Sequence, residues 1–130
     1  MHIGLLYSNP LLGGSETFGL AVAPVWKREN DVTVVNLWSG GGALREACRR
    51  AEVPFVGIDG GTRLFRPSLV RNLRSLFARE KFDVVAVFGL RAQILARLLR
   101  PWLDSKTVWI TMLRGEDAWR REWHVLGDRW

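Results

Sequence analysis

The sequence predicts an α/β protein, a Rossmann-like, doubly wound parallel sheet of about five strands with helices on both faces, forming a three-layer sandwich. Short β-branched runs alternate with longer helical patterns along the whole chain. The short runs are almost continuously apolar, as strands covered on both faces are. Their strand-helix order calls for right-handed crossovers between parallel strands.

The first strand is expected at Ile3 to Tyr7, an apolar run that ends before Asn9-Pro10. The Gly13-Gly14 corner follows, then a helical pattern from Glu16 to Arg28. Pro24 lies inside that pattern and should cost about 3 kcal/mol or kink the helix, so an irregular first helix is expected. Asn30 can take the left-handed conformation that ends a helix, before Asp31 opens the second strand, read at Val32 to Leu37. A helix at Ala43 to Ala51 and a strand at Pro54 to Ile58 come next. The helix expected at Ser68 to Glu80 carries Leu69, Leu73, Leu76 and Phe77 on one face, with Arg71, Arg74 and Ser75 on another. A strand at Val84 to Phe88, a helix at Arg91 to Leu99 and a strand at Thr107 to Met112 complete the pattern.

The last segment, EDAWRREWHVLGDRW, spaces Trp119, Trp123, Leu126 and Trp130 by four, three and four residues. This is one face of an amphipathic helix, read as core, with an exposed binding surface as the alternative. The stripe's last member is the final residue, with no capping Gly or Pro after it, so the sequence is expected to be a fragment.

A chain of 130 residues is enough for one domain and can bury roughly two-thirds of its unfolded surface. With 48% hydrophobic and 25% charged residues it reads as globular rather than disordered. A single cysteine, Cys48, excludes an internal disulfide and a cysteine zinc site, and its Ala/Arg-rich helical surroundings read as a small core residue. The N-terminus lacks the basic start of a secretory signal. No stretch approaches the roughly 18 apolar residues of a spanning helix, and a cytoplasmic location is expected.

The net charge of +6 is concentrated. Arg63, Arg66, Arg71, Arg74, Arg79 and Lys81 fall within 22 residues in which Glu80 is the only acid. Such a run suits phosphate on nucleic acid, lipid or nucleotide, with a solvated helix face as the plain alternative. Nucleic acid is disfavoured because the run is poor in aromatics, and Phe77 belongs to the apolar face.

In an open α/β sheet, ligands collect at the carboxyl ends of the strands, where the Gly13-Gly14 corner lies. Residues without Cβ allow close backbone approach, and a helix N-terminus offers N–H groups and a positive dipole end to phosphate; a plain tight turn is the alternative. No G-x-x-x-x-G-K-[ST] occurs, which disfavours a P-loop NTPase. There is no G-x-G-x-x-G, and the second strand ends at Asn36-Leu37-Trp38 without an acid for a ribose, which disfavours a nicotinamide-dependent oxidoreductase. Ser8-Asn9 stands where a response-regulator receiver needs clustered acids. Ser39-Gly40-Gly41-Gly42 and Gly89-Leu90-Arg91 are further candidates at the same sheet edge. After the fifth strand come Arg114, Glu116 and Asp117, at a position where loops commonly carry function; the two acids can equally be simple helix-start residues. His2 and His124 have no nucleophile or metal-ligand spacing near them, and neither a metal nor a cofactor is expected.

The stretches GLLYSNPLLGGSETFGLAV, NDVTVVNLWSGGGALREACRRAEVPFVGID and LVRNLRSLFAREKFDVVAVFGLRAQILARLL resemble, in order and spacing, the N-terminal domain of a GT-B glycosyltransferase of the family 4 type. The resemblance covers nearly the whole chain and lies in the series rather than in one motif. It implies an acceptor-side domain whose partner, a C-terminal nucleotide-binding domain, is absent from these residues, so that the isolated chain lacks full hexosyltransferase activity. It implies a nucleotide sugar as donor substrate, with Gly13 and Gly14 against its diphosphate or sugar. Ser15, Glu16, Gly89, Arg91, Arg114, Glu116 and Asp117 become acceptor-side candidates. The acceptor would be a glycan, a lipid-linked sugar or a small molecule. No covalent nucleophile is needed if the parent enzyme retains configuration like its relatives; the domain would position substrates and stabilise the departing diphosphate. Two departures stand out: Phe88-Gly89 replaces a usual His after the fourth strand, and Leu113-Arg114 stands where another His often helps place the donor sugar. Arg114 is the candidate substitute. Because many relatives act on lipid-linked acceptors, Arg63, Arg66, Arg71 and Arg74 are candidates for anionic headgroups at the inner membrane face. The competing expectation is a free-standing α/β module that binds a nucleotide, a nucleic acid or a partner protein.

Overall fold

Apolar β-branched runs become five parallel strands, and the patterns between them become helices. The computed structural model describes residues 1–9, 11–40, 42–59, 66–103 and 106–112. In chain order the elements are β1 (His2–Tyr7), α1 (Gly14–Trp26), β2 (Asp31–Asn36), α2 (Gly42–Arg50), β3 (Phe55–Gly57), α3 (Pro67–Glu80), β4 (Val84–Phe88), α4 (Leu90–Leu99), a 3₁₀ turn (Arg100–Trp102) and β5 (Val108–Met112). The sheet order is β3-β2-β1-β4-β5. Ile3 lies opposite both Val32 and Val84, and Tyr7 opposite both Asn36 and Phe88.

Side-chain alternation divides the core into two layers. On one face Ile3, Leu5, Tyr7, Val32, Val34, Ala86 and Phe88 pack with Ala23 of α1 and with Leu44 and Cys48 of α2. On the other, Leu6, Val35, Val85 and Val87 pack with Leu69, Leu73, Leu76 and Phe77 of α3 and Ala92, Leu95, Ala96 and Leu99 of α4. The four apolar residues expected on one face of α3 are thus all buried, and Cys48 is a core residue. His2 is structural, its ring bridging the Glu80 carbonyl at 2.8 Å and Thr33 Oγ1 at 3.0 Å.

Three local expectations are corrected. The first helix is continuous from Gly14 to Trp26 despite Pro24. Pro24 stands in the last turn, where the helix has little length left to disrupt, and its ring is exposed. Asn30 is not left-handed, the only non-glycine residues with positive φ among those described being Glu52 and Lys81. Instead its Nδ2 donates to the Trp26 carbonyl at 3.0 Å, which also accepts the Asn30 N–H at 3.1 Å, so side chain and backbone together close the end of the helix. The third strand is shorter than expected, at three residues, because it is an edge that pairs only with β2. Its flanks still bond: Val34 N–H donates to the Pro54 carbonyl and Ile58 N–H to that of Asn36.

Candidate functional site

From β1 the chain winds to one side of the sheet through β2 and β3, and from β4 to the other side through β5. The order therefore reverses between β1 and β4, and the carboxyl ends of these two strands flank the crevice where open α/β sheets take ligands. The loop after β1 supplies Ser8 to Gly13 and then the N-terminus of α1; the turn after β4 supplies Gly89 and the N-terminus of α4. The two loops meet there, since a Cβ on Gly89 would stand 3.0 Å from Ser8 Oγ. Gly89 is at φ 83° and ψ 148°, a conformation essentially confined to glycine.

The glycine corner is built by one half of a capping box. Glu16 is buried, and its Oε2 accepts the Gly13 N–H at 3.1 Å and the Ser15 hydroxyl at 2.9 Å. Thr17 closes the turn, both its N–H and its Oγ1 donating to the Gly13 carbonyl. The cap is one-sided, since Gly13 has no side chain to accept the Glu16 N–H in return. Two glycines that look equivalent in the sequence are thereby separated. The Gly13 amide is committed to Glu16, and a Cβ there would lie 2.9 Å from that carboxylate. A Cβ on Gly14 would meet nothing within 4 Å, and Gly14 is not among the positive-φ glycines. Neither packing nor backbone conformation asks for glycine at position 14.

Loops after neighbouring strands complete the rim. Asn9 Oδ1 accepts the Leu11 N–H at 3.1 Å, and the Asn9 carbonyl accepts Asn36 Nδ2 at 2.8 Å, tying the corner to the end of β2. Leu11, Leu12 and Trp38 are exposed on the loops after β1 and β2. The Trp38 indole lies over Gly40, whose Cβ would come within 2.7 Å of Nε1. Arg91 stands in the first turn of α4, partly withdrawn from water, and this desolvation lowers its guanidinium from the ordinary arginine value. Arginine still keeps its charge at any physiological pH.

The structure thus places Gly13, Gly14, Ser15, Glu16, Gly89 and Arg91 at one sheet edge. Arg114, Glu116 and Asp117, like Arg63, lie outside the described residues. The remaining basic candidates are elsewhere: Arg66 precedes α3, and Arg71 and Arg74 line a groove of about 860 Å³ along that helix. Val70, Phe77, Ala78 and Leu103 give the groove an apolar floor, and Lys81 and Trp102 also line it. No Asp or Glu is among the described lining residues. Trp102, Trp38, Leu11 and Leu12 are the residues sequence reasoning missed. Trp102 directly follows Pro101, a break signal that could have marked it as a loop aromatic rather than core.

No protein-family model matches the chain, and no curated protein does. Solved structures do match. A glycosyltransferase from Rickettsia africae ESF-5 aligns with a TM-score of 0.65 at 12% identity, over 91% of this chain and 32% of its own. Glycinamide ribonucleotide transformylase 1 from Symbiobacterium toebii aligns at 0.58 and 20% identity, over 84% and 50%. MurG from Acinetobacter baumannii aligns at 0.54 and 19%, over 92% and 47%. At these identities the likeness is one of fold, and the chain spans a third to a half of the length of these three structures.

Proposed function

We propose that this chain is the acceptor-side, Rossmann-like half of a GT-B glycosyltransferase that uses a nucleotide sugar. Its fold is shared with a glycosyltransferase over nine-tenths of its length, and the switch-point crevice is the place for the donor's charged end. The observation that carries the reading is Gly14. It is a glycine that the fold does not require, at the first turn of α1 on the crevice rim, where a missing Cβ lets a phosphate approach the helix N-terminus. Gly13 and Glu16 shape this corner, Ser15 and Gly89 border it, and Arg91 brings positive charge to the opposite lip. Trp38, Leu11 and Leu12 offer apolar surface for the acceptor's sugar faces.

The test is a titration of the chain with uridine, guanosine and adenosine diphosphate sugars and with inorganic pyrophosphate, followed by amide NMR shifts. Shifts are expected at the α1 and α4 N-termini, and Gly14→Val should abolish them without moving the melting temperature. Persistence of binding in Gly14→Val, or shifts confined to other loops, overturns the assignment.

The groove along α3 is proposed as the membrane contact of the same half. Arg71, Arg74 and Lys81 suit anionic headgroups, and Trp102, 60% exposed, suits the bilayer interface. No helix among the described residues is long and apolar enough to cross a membrane, so the contact would be peripheral. Sedimentation with phosphatidylglycerol vesicles should fall at least tenfold in the Arg71→Glu, Arg74→Glu double variant. Unchanged sedimentation removes the membrane role.

A further inference from the structure

The second edge strand is left bare on one side. Val108, Ile110 and Met112 alternate onto the α1–α2 face of the sheet, by their register with Val84, Ala86 and Phe88. Val108 is 55% and Ile110 45% exposed. α1 presents a matching wall. Lys27, whose Nζ donates to the Glu52 carbonyl just past α2, marks the side of α1 that faces α2. Phe18 and Val22 are on the flank of α1 away from α2 by helical spacing, toward β4 and β5. The result is an apolar trough, floored by β5 and walled by α1, with no described helix over it. Contiguous apolar surface of this kind marks a contact site.

We infer that the trough is covered by this chain's own 116–130 segment, through its stripe of Trp119, Trp123, Leu126 and Trp130. Dimensions and connection both fit. From Trp119 to Trp130 a helix rises about 16 Å, and Val108 to Met112 extends about 13 Å. Only three residues, 113 to 115, separate Met112 from the segment, enough to turn back antiparallel to β5. Bulky indoles are suited to fill a trough whose floor and wall end in Val and Ile side chains. The inference does not rest on the transferase reading, because its test reads only the position of the segment.

The single native cysteine makes the test direct. In a Cys48→Ala background, Ile110→Cys is combined in turn with Trp119→Cys, Trp123→Cys and Arg121→Cys, the last being off the stripe, and each is oxidised at low protein concentration. An intrachain bond is expected in a stripe pair and not in the Arg121 pair. Equal bonding of the Arg121 pair, no bonding in either stripe pair, or bonds only between chains would each overturn the inference, the last pointing to a second copy. A second variant keeps the test independent of cysteine chemistry. Ile110→Glu should lower the melting temperature of the whole chain by several degrees, whereas an unchanged midpoint means that the trough stays open to water.

Discussion

Tyr7, Gly19 and Cys48 show how closely the layer under α1 is fitted. The Tyr7 ring is fully buried and stacks on Phe88 with centroids 4.5 Å apart. Its hydroxyl has no hydrogen-bond partner among the described residues, and burial together with the nearby Glu16 carboxylate drives its ionisation above the ordinary tyrosine range. A Cβ on Gly19 would stand 1.6 Å from that hydroxyl. Gly19→Ala should therefore destabilise by about 2–3 kcal/mol through overpacking, read as a shift of the urea midpoint. Tyr7→Phe, which removes an unsatisfied buried group, should be neutral or stabilising and should rescue Gly19→Ala in part. Desolvation pushes the Cys48 thiol from 9.0 up to about 11. With the folded value raised, stability is whole below pH 9 and declines as pH rises toward 11, because the unfolded thiol gives up its proton first. Cys48→Ala should flatten urea midpoints measured across that window.

At the scale of elements, the helix ends hold the unused stability. Glu52 and Lys81 follow α2 and α3 with φ of 54° and 50°, the left-handed region that costs a side-chain-bearing residue about 1 kcal/mol. Lys81 N–H caps α3 by donating to the Phe77 carbonyl, and its side chain lines the groove. Glu52 contributes only its backbone in the bonds the structure shows, its carbonyl accepting from Lys27 and its N–H donating to the Arg49 carbonyl. Glu52→Gly should raise stability by about 1 kcal/mol, measured by thermal melting; a fall would mean that the Glu52 carboxylate makes a contact of its own. α1 shows how a local rule yields to position, because a proline in a final turn spares most of the helix that the same residue would break at mid-length. Patterning located this helix but not its regularity; beyond Pro24 the ladder resumes, with the Lys27 N–H donating to the Ala23 carbonyl.

At the scale of the molecule, two surfaces lie apart. The crevice stands at the carboxyl ends of β1 and β4, while the basic groove runs along α3 on the other layer. Their functions should be separable. Gly14→Val is expected to leave vesicle sedimentation intact, and the Arg71→Glu, Arg74→Glu variant to leave pyrophosphate shifts at α1 intact. Loss of both activities in either variant would mean a single site or a disturbed fold, which the melting temperature distinguishes. Charge distribution supports the division. Arg49 and Arg50 are paired with Glu46, and Arg79 with Glu80, whereas the groove residues Arg71, Arg74 and Lys81 make no such ion pair among the described residues. Exposed pairs of the first kind add at most about 1 kcal/mol, so the arginines without acids carry most of what remains for an anionic partner.

The sequence by itself determined the order and kind of the five strands and four α-helices among the described residues. Alternating apolar runs and 3.6-residue stripes are local patterns, and a parallel sheet buried on both faces leaves β1, β2 and β4 few other ways to satisfy their side chains. It also located the candidate corner, since paired glycines after a buried strand are legible without coordinates. Only the tertiary structure decided which glycine matters, because the difference between Gly13 and Gly14 depends on where the Glu16 carboxylate comes to rest. The same holds for Trp102 and the arginines of α3, which are distant in sequence and become one groove only when α4 returns beside α3. Local patterning reports which side of an element is buried; which elements share that side is settled by packing.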